Sequence, residues 1–154
     1  MRGKETFVGI DVAKEELEVA VFPRVDTETW PNTEEGILSL VDRLKSLRPN
    51  LVVLEATGGF EMLCVGALAS EGLPVVVSNP RQIRDFAKAT GRLAKTDRID
   101  ARVIARFAEA VRPEIRDLKT EELQELTALG VRRRQIIQMM TSEKNRLATA
   151  SKWT

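Results

Sequence analysis

Residues 51–54 (LVVL) form an uninterrupted apolar run of the length and composition found in strands buried on both faces. A strand of that kind needs covering layers above and below it. The run therefore commits the chain to a layered α/β fold. Its surroundings agree. Residues 6–11 (TFVGID) and 17–22 (LEVAVF) read as a β-hairpin turning at 12–14, and a shorter third strand is expected around 27–30. Thr33 is placed as the N-cap of a helix whose Ile37, Leu38, Leu40, Val41, Leu44 and Leu47 recur at helical spacing, and Pro49 stops it.

After Glu55 the Thr57-Gly58-Gly59 sequence makes a turn, 60–70 reads as a helix closed by Gly72, and 74–77 as another buried strand. From Arg81 the chain reads as helical, interrupted at Gly91, with a second helix starting near Asp97 and running to about Val111. Pro113 marks a break. A last long helix covers roughly 121–150, with Leu126, Leu129, Ile136, Ile137, Met140 and Leu147 as an apolar stripe. Gly130, Arg133 and Lys144 interrupt a strict heptad, so this helix is read as packing on a partner, as the start of a coiled coil. The organisation expected is an α/β domain over 1–112 and a linker with a helical segment over 113–154, together the front piece of a longer protein.

The chain has no histidine, which removes imidazole acid–base catalysis, His–Cys zinc sites and the Ser–His triad. Any catalysis must rest on carboxylates, lysine, hydroxyls or a hard metal ion. A single cysteine, Cys64, excludes an internal disulfide and reads as a small buried group. No apolar run approaches the roughly 18–20 residues of a membrane span, and the N-terminus lacks the apolar core of a signal peptide, so a cytoplasmic location without a membrane partner is expected. The net charge of +1 hides an asymmetry: residues 1–77 hold 7 Lys+Arg against 13 Asp+Glu, and 78–154 hold 17 against 10. An acidic half followed by a basic half points to an anionic partner or to scattered solvated charge.

Four acids stand at three places where an α/β sheet puts functional groups. Asp11 ends the first strand where an apolar residue is expected, and Glu55 ends the LVVL strand on the side where such sheets bind ligands. Asp97 and Asp100, three apart, are expected to share one face at a helix start. Four gathered carboxylates repel one another, and a divalent cation reverses the sign. Mg²⁺ or Mn²⁺ takes such oxygen ligands, and a pair of ions about 4 Å apart can activate one oxygen and stabilise another in phosphodiester chemistry. Each acid also has an ordinary reading: Asp11 as a turn residue, Glu55 as a strand-end acid, Asp97 as an N-cap, Asp100 as a first-turn acid paired with Arg98 or Arg102.

The blocks GIDVAKEELEVAVF, LEATGGFE and NPRQIRDFAKATGRLAKTDRIDARVIARF resemble the N-terminal domain of the DEDD insertion-sequence transposases, the family that includes the Piv-type DNA invertases. They occur in the family's order over roughly 6–110, the most specific being 95–101 (KTDRIDA) and 55–59 (EATGG). The resemblance implies an RNase H-like (RuvC-like) mixed sheet flanked by helices, with Asp11, Glu55, Asp97 and Asp100 as the family's four metal-binding acids. It also implies a further domain carrying a nucleophilic serine, reached through a coiled-coil region matching residues from about 121 onward. DNA is the partner implied, with a guide RNA in members that use one, and a homo-oligomer through the C-terminal helix.

Beside these acids, Lys95, Arg81, Arg84, Lys88, Arg92 and Arg98 are the nucleic-acid-binding candidates, with Arg102 nearby. Lys95 leads because it abuts Asp97, and Arg81, Arg84 and Lys88 recur at helical spacing. Gly58 and Gly59 read as a tight turn, while Arg132–Arg134 either contact nucleic acid or solvate a helix. Three functions compete. The leading one is divalent-metal-dependent DNA strand cleavage and transfer; the alternative is a non-catalytic nucleic-acid-binding and oligomerisation module. A sugar-kinase or actin-like ATPase shares the GIDVA start but needs further Gly-rich phosphate loops and a second lobe, which the sequence does not offer.

Overall fold

The computed structural model describes residues 4–91, 99–116 and 120–150. The elements run β1 (Phe7–Val12), β2 (Glu16–Phe22), β3 (Thr27–Pro31), α1 (Glu34–Leu47), β4 (Leu51–Glu55), α2 (Met62–Ser70), β5 (Val75–Ser78), α3 (Pro80–Ala89), α4 (Ala101–Val111) and α5 (Thr120–Ala150). The five strands form one sheet in the order β3-β2-β1-β4-β5. The β1–β2 and β2–β3 pairs are antiparallel, whereas β4 and β5 run parallel to β1. A meander joined to two parallel strands, with helices on both faces, is the RNase H-like mixed sheet expected above.

Alternation along the strands divides the core. Val8, Ile10, Val12, Val52 and Leu54 pack with α1 and α2 through Ile37, Leu40, Leu44, Cys64 and Leu68. Phe7, Leu51 and Val53 face the other way, against Ile83 and Ala87 of α3 and Ile104, Phe107 and Ala108 of α4. Thr33 caps α1 by accepting from the Gly36 N–H at 3.1 Å, and Asn79 caps α3 by accepting from the Arg81 N–H at 2.8 Å.

α4 lies unusually close to the sheet. A Cβ on Gly9 would fall 2.2 Å from the Ala105 nitrogen and 2.4 Å from the Ala101 oxygen. Ala20, which pairs with Gly9 across the hairpin, meets the same two alanines. Small residues on strand and helix set this approach.

Three features differ from expectation, two of them helix starts. α2 begins at Met62 rather than 60, because 56–60 is held as a loop by side-chain hydrogen bonds described below. α4 begins at Ala101, with Ile99 and Asp100 outside the helix, rather than near Asp97. Asp100 is itself the N-cap of α4, and the helical face it is expected to share with Asp97 falls on a residue outside the described ones.

The third difference concerns α5. Its Gly130, which breaks the heptad pattern, is buried against α2, where a Cβ would come 2.8 Å from Leu63 Cδ2. α2 is apolar around its circumference (MLCVGALAS), so it needs cover on the side away from the sheet. α5 supplies it. Beyond that contact, every residue from Gln138 to Ala150 is exposed. Among the described residues no helix is long and apolar enough to cross a membrane.

Candidate active site at the carboxyl edge of the sheet

The β1–β4 register sets Gly9 beside Val53 and Ile10 beside Leu54. One step further sets Asp11 beside Glu55, on strands about 4.8 Å apart. Alternation turns both toward the α3–α4 face, with Phe7, Gly9, Leu51 and Val53. Both acids are half-buried. The same row continues to Glu18 on β2 and to buried Ser78 on β5. Apolar packing on this face ends one pleat before the acids.

α4 points its N-terminus at that edge. Its first turn lies over Gly9, while Arg112, just past its C-terminus, stacks on the Phe7 ring at 4.9 Å and pairs with Glu5 at 2.6 Å. The helix thus runs antiparallel to β1 and carries Asp100 toward the end where Asp11 stands. Asp100 Oδ1 accepts from the Val103 N–H at 3.0 Å, and Oδ2 lies 3.9 Å from the Arg102 guanidinium. Its side chain remains 42% exposed. Asp100 therefore does fill an ordinary capping role, with a second oxygen left at the surface of the cap.

The structure sets Asp11 and Glu55 side by side and brings Asp100 to the same edge; Asp97, with Arg92, Lys95 and Arg98, lies outside the described residues. Among the described residues no three His, Cys, Asp or Glu side chains group closely enough to hold a metal ion. The donors present are hard carboxylate oxygens, which suit Mg²⁺ or Mn²⁺ and not a soft metal.

Two loops leave this edge, and both are tied down. The 56–61 loop has Gly58 at φ +74 and Gly59 at φ +119, conformations that glycine adopts without strain. The tight-turn reading of these glycines holds. Glu61 folds back over the loop: its Oε2 accepts from the Thr57 hydroxyl at 2.7 Å, the Gly59 N–H at 3.0 Å and the Thr57 N–H at 3.2 Å. Burial pushes the Glu61 carboxyl up, yet these hydrogen bonds outweigh it and hold the group below its ordinary range. Asn32 Nδ2 donates to the Ala13 carbonyl at 2.8 Å and to the Phe60 carbonyl at 3.2 Å, clipping together the chain segments that follow the two strand acids. Neither role is visible in local sequence, since each needs partners brought together by the fold; a glutamate two residues after a Gly-Gly turn is the one local hint for Glu61.

The cations separate into classes. Arg81, Arg84 and Lys88 lie along one side of α3, flanking the buried Ile83 and Ala87, with Arg81 and Lys88 exposed. Arg102 serves structure, its Nε donating to the Val25 carbonyl at 2.8 Å. Of the three consecutive arginines on α5, Arg133 sits 4.2 Å from the Phe60 ring centroid and Arg134 lies 3.7 Å from Glu34, whereas Arg132 meets Gln135 on the exposed side. Cys64 is fully buried, and burial pushes its thiol up to about 12, which leaves it protonated and inert.

The transposase family matches residues 8–150. Two curated relatives, the pilin gene-inverting proteins of Moraxella lacunata and Moraxella bovis, are each 28% identical over 149 residues, covering 92% of this chain and 46% of their own length. The chain therefore spans about half of the curated relatives it matches. Among solved structures, RuvC of T. thermophilus in complex with a Holliday junction substrate is similar over 70% of this chain and 96% of its own, at 18% identity and a TM-score of 0.49.

Proposed function

Because the chain belongs to the DEDD insertion-sequence transposase family, we propose that it is the nuclease-like domain of a DNA recombinase. In this reading Asp11, Glu55, Asp97 and Asp100 hold Mg²⁺ or Mn²⁺ at the carboxyl edge of the sheet. The observation that carries the reading is the β1–β4 register, which makes Asp11 and Glu55 neighbours at the ends of two parallel strands. A bound divalent ion would polarise a phosphodiester and stabilise the oxygen that leaves it. The chain's own groups do the rest. The strand acids would hold such an ion on rigid elements, and Asp100, as the N-cap of α4, would add a carboxylate from the helix end.

Domains over 1–112 and 113–154, DNA as substrate, a guide RNA, and self-association through α5 all belong to this proposal. The strip of Arg81, Arg84 and Lys88 supports contact with a phosphate backbone, and would do so equally in a non-catalytic binding module. Metal binding separates the two. Mn²⁺ at about 100 times its Kd is expected to add about 2.7 kcal/mol of stability to the wild-type chain, read as a rise in thermal midpoint. The Asp11→Ala/Asp97→Ala variant is expected to give none. An equal rise in both proteins would leave only the binding module.

A further inference from the structure

The α5 helix touches the rest of the chain through residues spaced to share one face. Gly130 is pressed on Leu63, Arg133 lies over Phe60, and Arg134 reaches Glu34, at spacings of three and four. Its exposed side carries Leu129, Arg132, Ile136, Met139 and Met140 instead. The contact at 133 is distinctive because of what lies beneath it. Phe60 belongs to the loop that leaves Glu55, its carbonyl takes the Asn32 hydrogen bond, and the position of a Cβ on Gly59 is 3.7 Å from Arg133 Nε. Glu61 closes the same loop from within. The guanidinium thus covers from outside a glycine-containing loop that Glu61 ties from within.

Resting on the metal-site reading above, we infer that Arg133 is a positioning residue for Glu55: by stacking on Phe60 it clamps the 56–61 loop, so that the seating of α5 sets the carboxyl edge of β4. A flat cation on an aromatic face restrains the ring in both tilt and translation, and the ring is one residue from Gly59. The loop continues β4 covalently from Glu55 to Ala56, whose N–H bonds the Ser78 carbonyl of β5 at 3.1 Å. An interaction 78 positions away in sequence from Glu55 thereby bears on it.

Charge and positioning predict opposite signs, which makes the inference testable. Removing a cation strengthens binding of a divalent metal if charge is all that matters. Loosening the loop weakens it. Hydrogen exchange in the full 154-residue chain is expected to speed up about tenfold at the Thr57 and Gly59 amides in Arg133→Ala, with Val53 in the core of β4 unchanged. Apparent Mn²⁺ affinity, followed by the ion's paramagnetic signal, should fall in the same variant. Arg133→Lys should recover part of both, Phe60→Leu should reproduce both without touching α5, and Arg132→Ala on the exposed side should alter neither. Unchanged exchange at Thr57 and Gly59 in Arg133→Ala and Phe60→Leu overturns the clamp, as does Mn²⁺ affinity that stays level or rises while Asp11→Ala has lost it. If Asp11→Ala binds Mn²⁺ as wild type does, the metal reading fails, and the clamp then stands or falls on exchange alone.

Discussion

The two faces of the sheet are built from the same strands and end differently. Toward α1 and α2, β1 presents Val8, Ile10 and Val12, all buried, so the apolar packing runs to the end of the strand. Toward α3 and α4 it presents Phe7, Gly9 and Asp11: a large side chain, none, then a carboxylate. β4 repeats the contrast, with Val52 and Leu54 on one side and Leu51, Val53 and Glu55 on the other. One face is a conventional core. The second gives up one pleat of burial, and a helix end is brought against the gap. Because successive residues alternate, neighbours one position apart answer to different demands.

The sharpest way to break that contrast is at three consecutive residues. Gly9→Ala puts a methyl group onto backbone atoms of α4, which cannot rotate aside as a side chain could. It is expected to cost more than about 3 kcal/mol in urea unfolding, at or above the upper end for overpacking, because α4 must lift from the sheet. Ile10→Val, next in sequence and on the opposite face, should cost about 1 kcal/mol and leave Mn²⁺ binding intact. Asp11, one further, is the metal prediction made above. A Gly9→Ala protein as stable as Ile10→Val would show that α4 does not lie on β1 as described.

A smaller effect tests the helix end. Asp100→Ala removes the cap on Val103 and should cost about 1 kcal/mol. Asp100→Asn keeps a capping oxygen and removes the charge, so its stability in the absence of metal should stay within a few tenths of a kcal/mol of wild type. Its midpoint rise with Mn²⁺ should nevertheless shrink. Should Asn behave as Asp in both respects, Asp100 is a cap and nothing more.

Alternation and apolar runs made the strands and their faces legible in the sequence, and with them the prominence of Asp11 and Glu55, since an acid at an apolar position in a strand has few cheap explanations. The helix carrying Asp100 was placed three residues early because Asp97 and Asp100 are equally good caps, and nothing local ranks them. The hydrogen bond to Val103 does. Gly130 and Arg133 looked like faults in a coiled-coil pattern because a heptad test assumes a partner helix of the same kind. Their partners are Leu63 and Phe60, near one end of α2. Asn32 was invisible for a related reason: its value lies in joining Ala13 to Phe60, 19 and 28 residues away.

The mildest expected effect concerns the loop between the two regimes. Glu61 is held below its ordinary value of 4.5 although burial opposes this, because its hydrogen-bond donors favour the ionised form. A carboxylate depressed in the folded state adds stability that is fully present above the unfolded value and is lost as pH falls through the folded one. The loop should therefore be firm at neutral pH and loosen below about pH 4.5. Glu61→Gln keeps the shape and can still turn one oxygen toward the three donors, as Oε2 does now, but it cannot ionise. At pH 7 it should exchange faster than wild type at Thr57 and Gly59. As the pH is lowered and Glu61 takes up its proton, the two proteins should converge, after correction for the intrinsic pH dependence of exchange. A difference that persists unchanged from pH 7 to pH 3 would mean that the charge of Glu61 does not hold the loop, and would leave the clamp from α5 as its main restraint.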